Sequence, residues 1–145
     1  MTPFKFAMTI HRIAAALRTE IIAAEALTLE QARDALIKRS SGTITTKALR
    51  TMGHPYAVRD PQTPLDPSLI NAQSGDFKRS WKKTGPKSTI AGVVSSVVNT
   101  DPKAKYMFGT RKMVARRVDI YVAAQMAPRR RFHLDRGVRR ALRKR

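Results

Sequence analysis

The sequence contains no cysteine. That excludes disulfides and thiolate metal sites, and it suits a reducing compartment. Aromatic residues are scarce at 6%, with Trp81 the lone tryptophan. Acidic residues are scarcer still in relation to their counterparts: ten Asp/Glu face 29 Lys/Arg, for a formal net charge of +19. No apolar run approaches the roughly 20 residues of a membrane span, so no membrane role is expected. Met1 to Ile10 has neither a long apolar core nor a small-residue cleavage site, which argues against a signal peptide and for a cytoplasmic setting. The three histidines, His11, His54 and His133, are widely spaced and form no metal-ligand pattern. Neither a metal nor a cofactor is expected.

What is present is arginine, concentrated at the end. Residues 101–145 hold 15 Lys/Arg against three Asp/Glu, whereas the first 100 residues hold 14 against seven. The run closes with Arg129-Arg130-Arg131 and Arg139-Arg140-Ala141-Leu142-Arg143-Lys144-Arg145. Self-repulsion on this scale disfavours a compact isolated monomer. The chain is expected to sit against negative charge, from nucleic acid or from acidic neighbouring subunits. The length fits one domain with arms: an α+β domain over 1–128 and a basic C-terminal arm over 129–145.

Periodicity predicts a long amphipathic helix over 9–40, with Ile10, Ile13, Leu17, Ile21 and Ala24 on one face. Arg12, Glu20 and Glu25 are assigned to the opposite face. Thr28-Leu29-Glu30-Gln31 fits a capping box, so either a second helix starts at Thr28 or one helix runs through. Ser40-Ser41-Gly42 closes the segment, with Gly42 as a left-handed cap. A short helix is predicted over Thr45 to Met52. The four prolines Pro55, Pro61, Pro64 and Pro67 then mark a long irregular loop over 54–67.

A hairpin is predicted over 77–100. Phe77 to Thr84 forms the first strand, Gly85-Pro86 the turn, and Thr89 to Thr100, rich in valine, the second strand. Pro102 to Met107 reads as one helical turn. Val118 to Ala127 fits both a strand and a helix; Ala123, Ala124 and Met126 tip the balance to helix. Pro128 is expected to interrupt it, with a basic terminal helix resuming from Asp135 to Lys144.

No catalytic constellation assembles. Lys83-Thr84-Gly85 and Ser80-Trp81-Lys82-Lys83 echo penicillin-binding motifs, but one lysine would fill two roles. Gly85-Pro86-Lys87-Ser88 echoes a phosphate loop without its first glycine. Glu20, Glu25, Glu30 and Asp34 are expected to form a solvated helix face. The stronger signal is the tail. Arg129, Arg130, Arg131, Arg136, Arg139, Arg140, Arg143 and Arg145 are expected to contact polyanion, DNA or acidic protein, with Arg136, Arg139, Arg140 and Arg143 close to one face. No interleaved aromatics accompany them, so sequence-specific readout is not expected.

Two segments carry a family resemblance. His54-Pro55-Tyr56-Ala57-Val58-Arg59-Asp60, followed by Leu69-Ile70-Asn71-Ala72-Gln73-Ser74-Gly75-Asp76-Phe77-Lys78-Arg79-Ser80-Trp81, resembles stretches of tailed-bacteriophage minor virion proteins. Tyr106-Met107-Phe108-Gly109-Thr110-Arg111-Lys112-Met113-Val114-Ala115-Arg116 resembles a third stretch of the same tail-completion or neck proteins. Phe77 stands where leucine is usual, and Arg117 where proline follows. The basic C-terminus lies outside the resemblance. The resemblance implies an α+β subunit of a homo-oligomeric ring, hexamer or dodecamer, that joins the portal or its adaptor to the tail around DNA, in the virion neck and in the host cytoplasm during assembly. No enzyme activity is implied. Ser74, Gly75, Phe77, Trp81, Gly109 and Thr110 then serve the fold: turn glycines at 75 and 109, a strand-entry serine, and two aromatics sharing one strand face. The loop with His54, Tyr56, Arg59 and Leu65 becomes a contact arm for a neighbouring subunit. The competing reading is a non-sequence-specific nucleic-acid-binding protein of ribosomal or nucleoid type, which the charge alone favours.

Overall fold

A computed structural model describes residues 3–40, 46–51, 69–70, 75–90, 92–107 and 117–143. In chain order the elements are α1 (Pro3–Arg39), α2 (Thr46–Thr51), α3 (Gly75–Arg79), β1 (Trp81–Thr89), β2 (Gly92–Asn99), α4 (Ala104–Met107) and α5 (Val118–Arg143). The class is the expected α+β: a long N-terminal helix, a two-stranded antiparallel sheet and a basic C-terminal helix.

The chain divides into two compact units, each discontinuous in sequence. The first is built from Met1–Gln31, Lys83–Ser96 and Gln125–Arg145, and the second from Ala32–Lys82 and Val97–Ala124. The second unit holds most of the apolar core. Leu36, Ile70, Phe77, Trp81, Ala104, Val118 and Val122 are all buried there. Trp81 is 3% exposed, and its indole Nε1 donates to Ser40 Oγ at 3.0 Å. Ser40 in turn donates to the Leu36 carbonyl at 2.8 Å, so the buried indole N–H and hydroxyl are both satisfied. The Trp81 carbonyl accepts from Arg33 Nε at 3.1 Å. The end of α1 is thereby tied to the start of β1. Phe77 meets Trp81 edge-on, with ring centroids 6.1 Å apart and planes at 89°.

Four local expectations are corrected. Residues 77–80 are not strand: Phe77 lies on α3, whose end is closed by Ser80, with its N–H and Oγ both donating to the Asp76 carbonyl. Phe77 on α3 therefore meets Trp81 at the start of β1, and the two do not share a strand face. Gly75 is the first residue of α3, and only Gly85 and Gly92 among the described glycines take a positive φ. Gly75 is thus no left-handed turn residue.

The Gly85-Pro86 turn is also absent. β1 runs through both residues, and the chain reverses between Thr89 and Gly92, with Thr89 Oγ1 donating to the Gly92 carbonyl at 2.9 Å. Each strand of a two-stranded sheet is an edge, where proline's missing N–H is tolerated. Gly85 makes the passage possible: its φ is 94°, and a Cβ there would lie 2.7 Å from the Val94 carbonyl oxygen.

At Thr28, where a second helix or one continuous helix was open, the continuous helix is the one observed, and the remaining correction concerns a break that does not occur. α1 is one helix of 37 residues, about 55 Å long at 1.5 Å per residue. Thr28 caps nothing; its Oγ1 donates back to the Ala24 carbonyl at 2.9 Å inside the helix. α5 likewise runs unbroken through Pro128. The proline removes one ladder hydrogen bond, and the residues just beyond it are fastened to α1. Within the first unit Arg130 reaches Glu25 and His133 reaches Gln31, which holds the chain helical past the proline. The helix reading of Val118–Ala127, the short helix at 46–51 and the turn at 104–107 agree with the sequence. Gly42 lies outside the described residues.

Candidate functional site

α5 carries most of the basic signal, and its arginines fall into two groups. Residues of its inner face are small or apolar: Met126 and Ala141 are buried, as is Gly137. Gly137 permits close approach of the two helices in the first unit. A Cβ on it would lie 3.2 Å from the Glu20 carbonyl oxygen, backbone against backbone. A mid-helix glycine costs about 1 kcal/mol relative to alanine, and the helix contact explains its place.

Next to that contact, α1 presents two buried acids. Glu20 and Glu25 are 8% and 5% exposed, which overturns the expected solvated acidic face for this pair. Arg140 Nε lies 2.9 Å from Glu20 Oε2, and Arg130 Nη2 lies 2.5 Å from Glu25 Oε1. Arg130 Nε donates to the same oxygen at 2.7 Å. The hydrogen bond to Glu25, then its charge, raise the Arg130 guanidinium above its ordinary value. Glu30 pairs with Lys83 of β1, and Asp34 stays exposed. The sequence carried a signal for the buried pair. At 100° per residue Glu20 and Glu25 lie roughly 80° and roughly 60° from the centre of the Ile10–Leu17–Ile21 stripe, on its flanks and not opposite it. Ile10 itself is exposed, while Ile13, Leu17 and Ile21 are half-buried.

Arg130 and Arg140 are therefore committed within the chain. Arg129, Arg131, Arg136, Arg139 and Arg143 are exposed and make no ion pair or hydrogen bond among the described residues. The expected single face of Arg136, Arg139, Arg140 and Arg143 is divided: Arg140 turns to Glu20, and the other three stay free. Phe132 joins them on the outer face, 60% exposed. With Asp135, Arg136 and Arg139 it lines one shallow hollow, and with Gln31, Pro128, Arg129 and His133 another. Arg145 lies outside the described residues, as do His54, Tyr56, Arg59, Leu65, Ser74, Gly109 and Thr110.

No family model, curated protein or solved structure matches this chain. Among the described residues no three His, Cys, Asp or Glu side chains gather as metal ligands. No described helix is long and apolar enough to cross a membrane.

A second exposed feature belongs to the sheet. On β2, Val94 and Val98 are exposed and Val93 and Val97 half-buried, while Ile90 at the reversal is fully exposed. Among the described residues, this most apolar strand thus alternates exposed and half-buried positions, with none buried.

Proposed function

We propose that this protein is a structural subunit of a larger assembly, of the ring-forming kind that the motif resemblance implies for the head–tail junction of tailed bacteriophages. The observation that carries this reading is β2, none of whose positions is buried among the described residues. A lone two-stranded hairpin is marginal in water, and its valines gain most of their burial from a neighbouring surface. Phe77 and Trp81, both from the resembling segment, are buried in the second unit, which supports their role in the fold. In this reading copies form a hexameric or dodecameric ring with neighbouring neck, portal-adaptor or tail proteins, in the virion and in the host cytoplasm during assembly. The free arginines of α5 face DNA passing through the lumen or an acidic neighbour. Catalysis is no part of it.

The second reading, a non-sequence-specific nucleic-acid-binding protein outside any ring, is favoured by the free arginines alone. Mass photometry and electron microscopy of the full chain, alone and with virion extracts, separate the two. Closed rings, or recovery of the chain in particles, are expected. A chain that stays monomeric at all concentrations and is absent from particles overturns the assembly reading.

A further inference from the structure

The split among the arginines of α5 has a geometric consequence. Phe132, Arg136, Arg139 and Arg143 follow one another at spacings of four, three and four, which places them within an arc of roughly 60° on the helix. All four are exposed. Arg130 lies away from the stripe and Arg140 flanks it, but the charge of both is taken up by Glu25 and Glu20. Among the described residues, the acid that lines the hollow with Phe132, Arg136 and Arg139 is Asp135.

We infer that this stripe is a nucleic-acid contact, in which Arg136, Arg139 and Arg143 meet phosphates within a short run of one strand and Phe132 stacks on a base where the strand is single. From Arg136 to Arg143 the helix rises about 10 Å, close to three steps of about 3.4 Å between phosphates along a duplex strand, so the three arginines span a run of about four phosphates. Guanidinium forks bind phosphate oxygens with two parallel hydrogen bonds, and here they have no internal carboxylate to satisfy them. An exposed aromatic one turn from the first arginine adds what an acidic protein surface would not use: a ring face for base stacking. The contact positions a strand without reading its sequence, since no side chain suited to base edges other than arginine stands on the stripe. This inference deepens the proposal that the free arginines of α5 meet polyanion, but it does not require a ring.

The test measures binding of the full chain to a single-stranded oligonucleotide, to a duplex of equal length and to polyglutamate of matched charge, by fluorescence anisotropy at several salt concentrations. Two triple variants are compared, Arg136→Gln/Arg139→Gln/Arg143→Gln and a charge-matched control, Lys38→Gln/Lys82→Gln/Lys87→Gln. Circular dichroism melts establish that both fold. The stripe variant is expected to bind both nucleic acids at least about tenfold more weakly, and to reduce the duplex salt slope by about 2–3, as loss of three phosphate contacts requires. The control is expected to change binding less than about threefold, because its charges contribute only at long range. Phe132→Ala should weaken the single strand and spare the duplex. Equal losses in both triple variants would overturn the inference, since net charge alone would then account for binding. Polyglutamate binding as tightly as DNA, with the same loss in the stripe variant, would overturn it in favour of an acidic protein partner. Phe132→Ala with no effect on the single strand would remove the stacking half of the inference. Mass photometry on the same samples keeps the assembly proposal separate: a monomer that loses DNA through the stripe refutes the ring and leaves the stripe standing.

Discussion

In the second unit, seven apolar side chains from α1, α3, β1, α4, α5 and the segment at Ile70 are buried together with one hydroxyl, Ser40, which is satisfied by the Trp81 indole. In the first unit the buried apolar residues are only Ala24, Leu29, Met126 and Ala141, and two carboxylates share their interior with them. Both units use α1 and α5, yet one is closed by aromatic and aliphatic packing and the other by arginine reaching buried glutamate. The difference follows from composition. Trp81, Phe77 and Ile70 are large and carry almost no polar surface that needs a partner, so burial itself stabilises them. The C-terminal half of α5 has few such residues to offer, and a helix this basic can be held only where its charge is answered. Ion pairs of this kind secure position more than stability, because desolvation offsets most of the attraction.

The comparison breaks most readily at Trp81. Trp81→Ala is expected to cost about 3–5 kcal/mol, from lost burial and a cavity beside Phe77. Urea denaturation checks it, and a loss below about 1 kcal/mol would show that the second unit does not depend on its aromatic pair.

Arg130→Ala is expected to cost less, about 1–3 kcal/mol, because Glu25 is left buried without its partner while half of the arginine itself was already in water. The double variant Glu25→Gln/Arg130→Gln should recover much of that loss. A double-mutant cycle with no coupling would show that the pair is only a surface contact.

Gly137 offers a smaller effect. Gly137→Ala gains helix propensity of about 1 kcal/mol but sets a methyl against the Glu20 backbone, so the net should be destabilising by about 1 kcal/mol or less. Gly137→Leu cannot be accommodated at that approach and should expose the Arg140–Glu20 pair to solvent, which loss of amide protection in the C-terminal half of α5 would report. A variant stabilised by leucine would show that α1 and α5 do not close on each other there.

Salt sharpens the contrast from the other side. With a net charge of +19, repulsion outweighs the few pairs, so the melting temperature should rise by a few degrees as the Debye length falls from about 30 Å to about 8 Å. A fall would mean that the ion pairs of the first unit dominate. Smallest of all is the stripe: replacing Arg136, Arg139 and Arg143 by glutamine should leave stability within about 0.5 kcal/mol, since exposed unpaired charges contribute little to the fold.

Much of this architecture was legible. The 3.6-residue period announced α1, the alanines and methionine of 118–127 leaned to helix, and the valines of β2 announced a strand. The readings that failed were the strand at 77–80, the turn at Gly85-Pro86 and the break at Pro128. Each is a sound local signal. The last was overruled where neighbours held the chain: Glu25 and Gln31 hold the helix beyond Pro128. The acids of α1 were misjudged for a related reason. A carboxylate flanking an apolar stripe is solvated or buried according to what faces it, and the arginines that face Glu20 and Glu25 come more than 100 residues later.

The sequence by itself determined the class, the long helices, the scarcity of core-forming residues and the excess of positive charge, because these follow from composition and from periods of two and 3.6 residues. Only the tertiary structure decided which arginines are spent internally and which stay free. That division depends on the phase at which α5 meets α1, set by the close approach at Gly137, and no local pattern in either helix carries it.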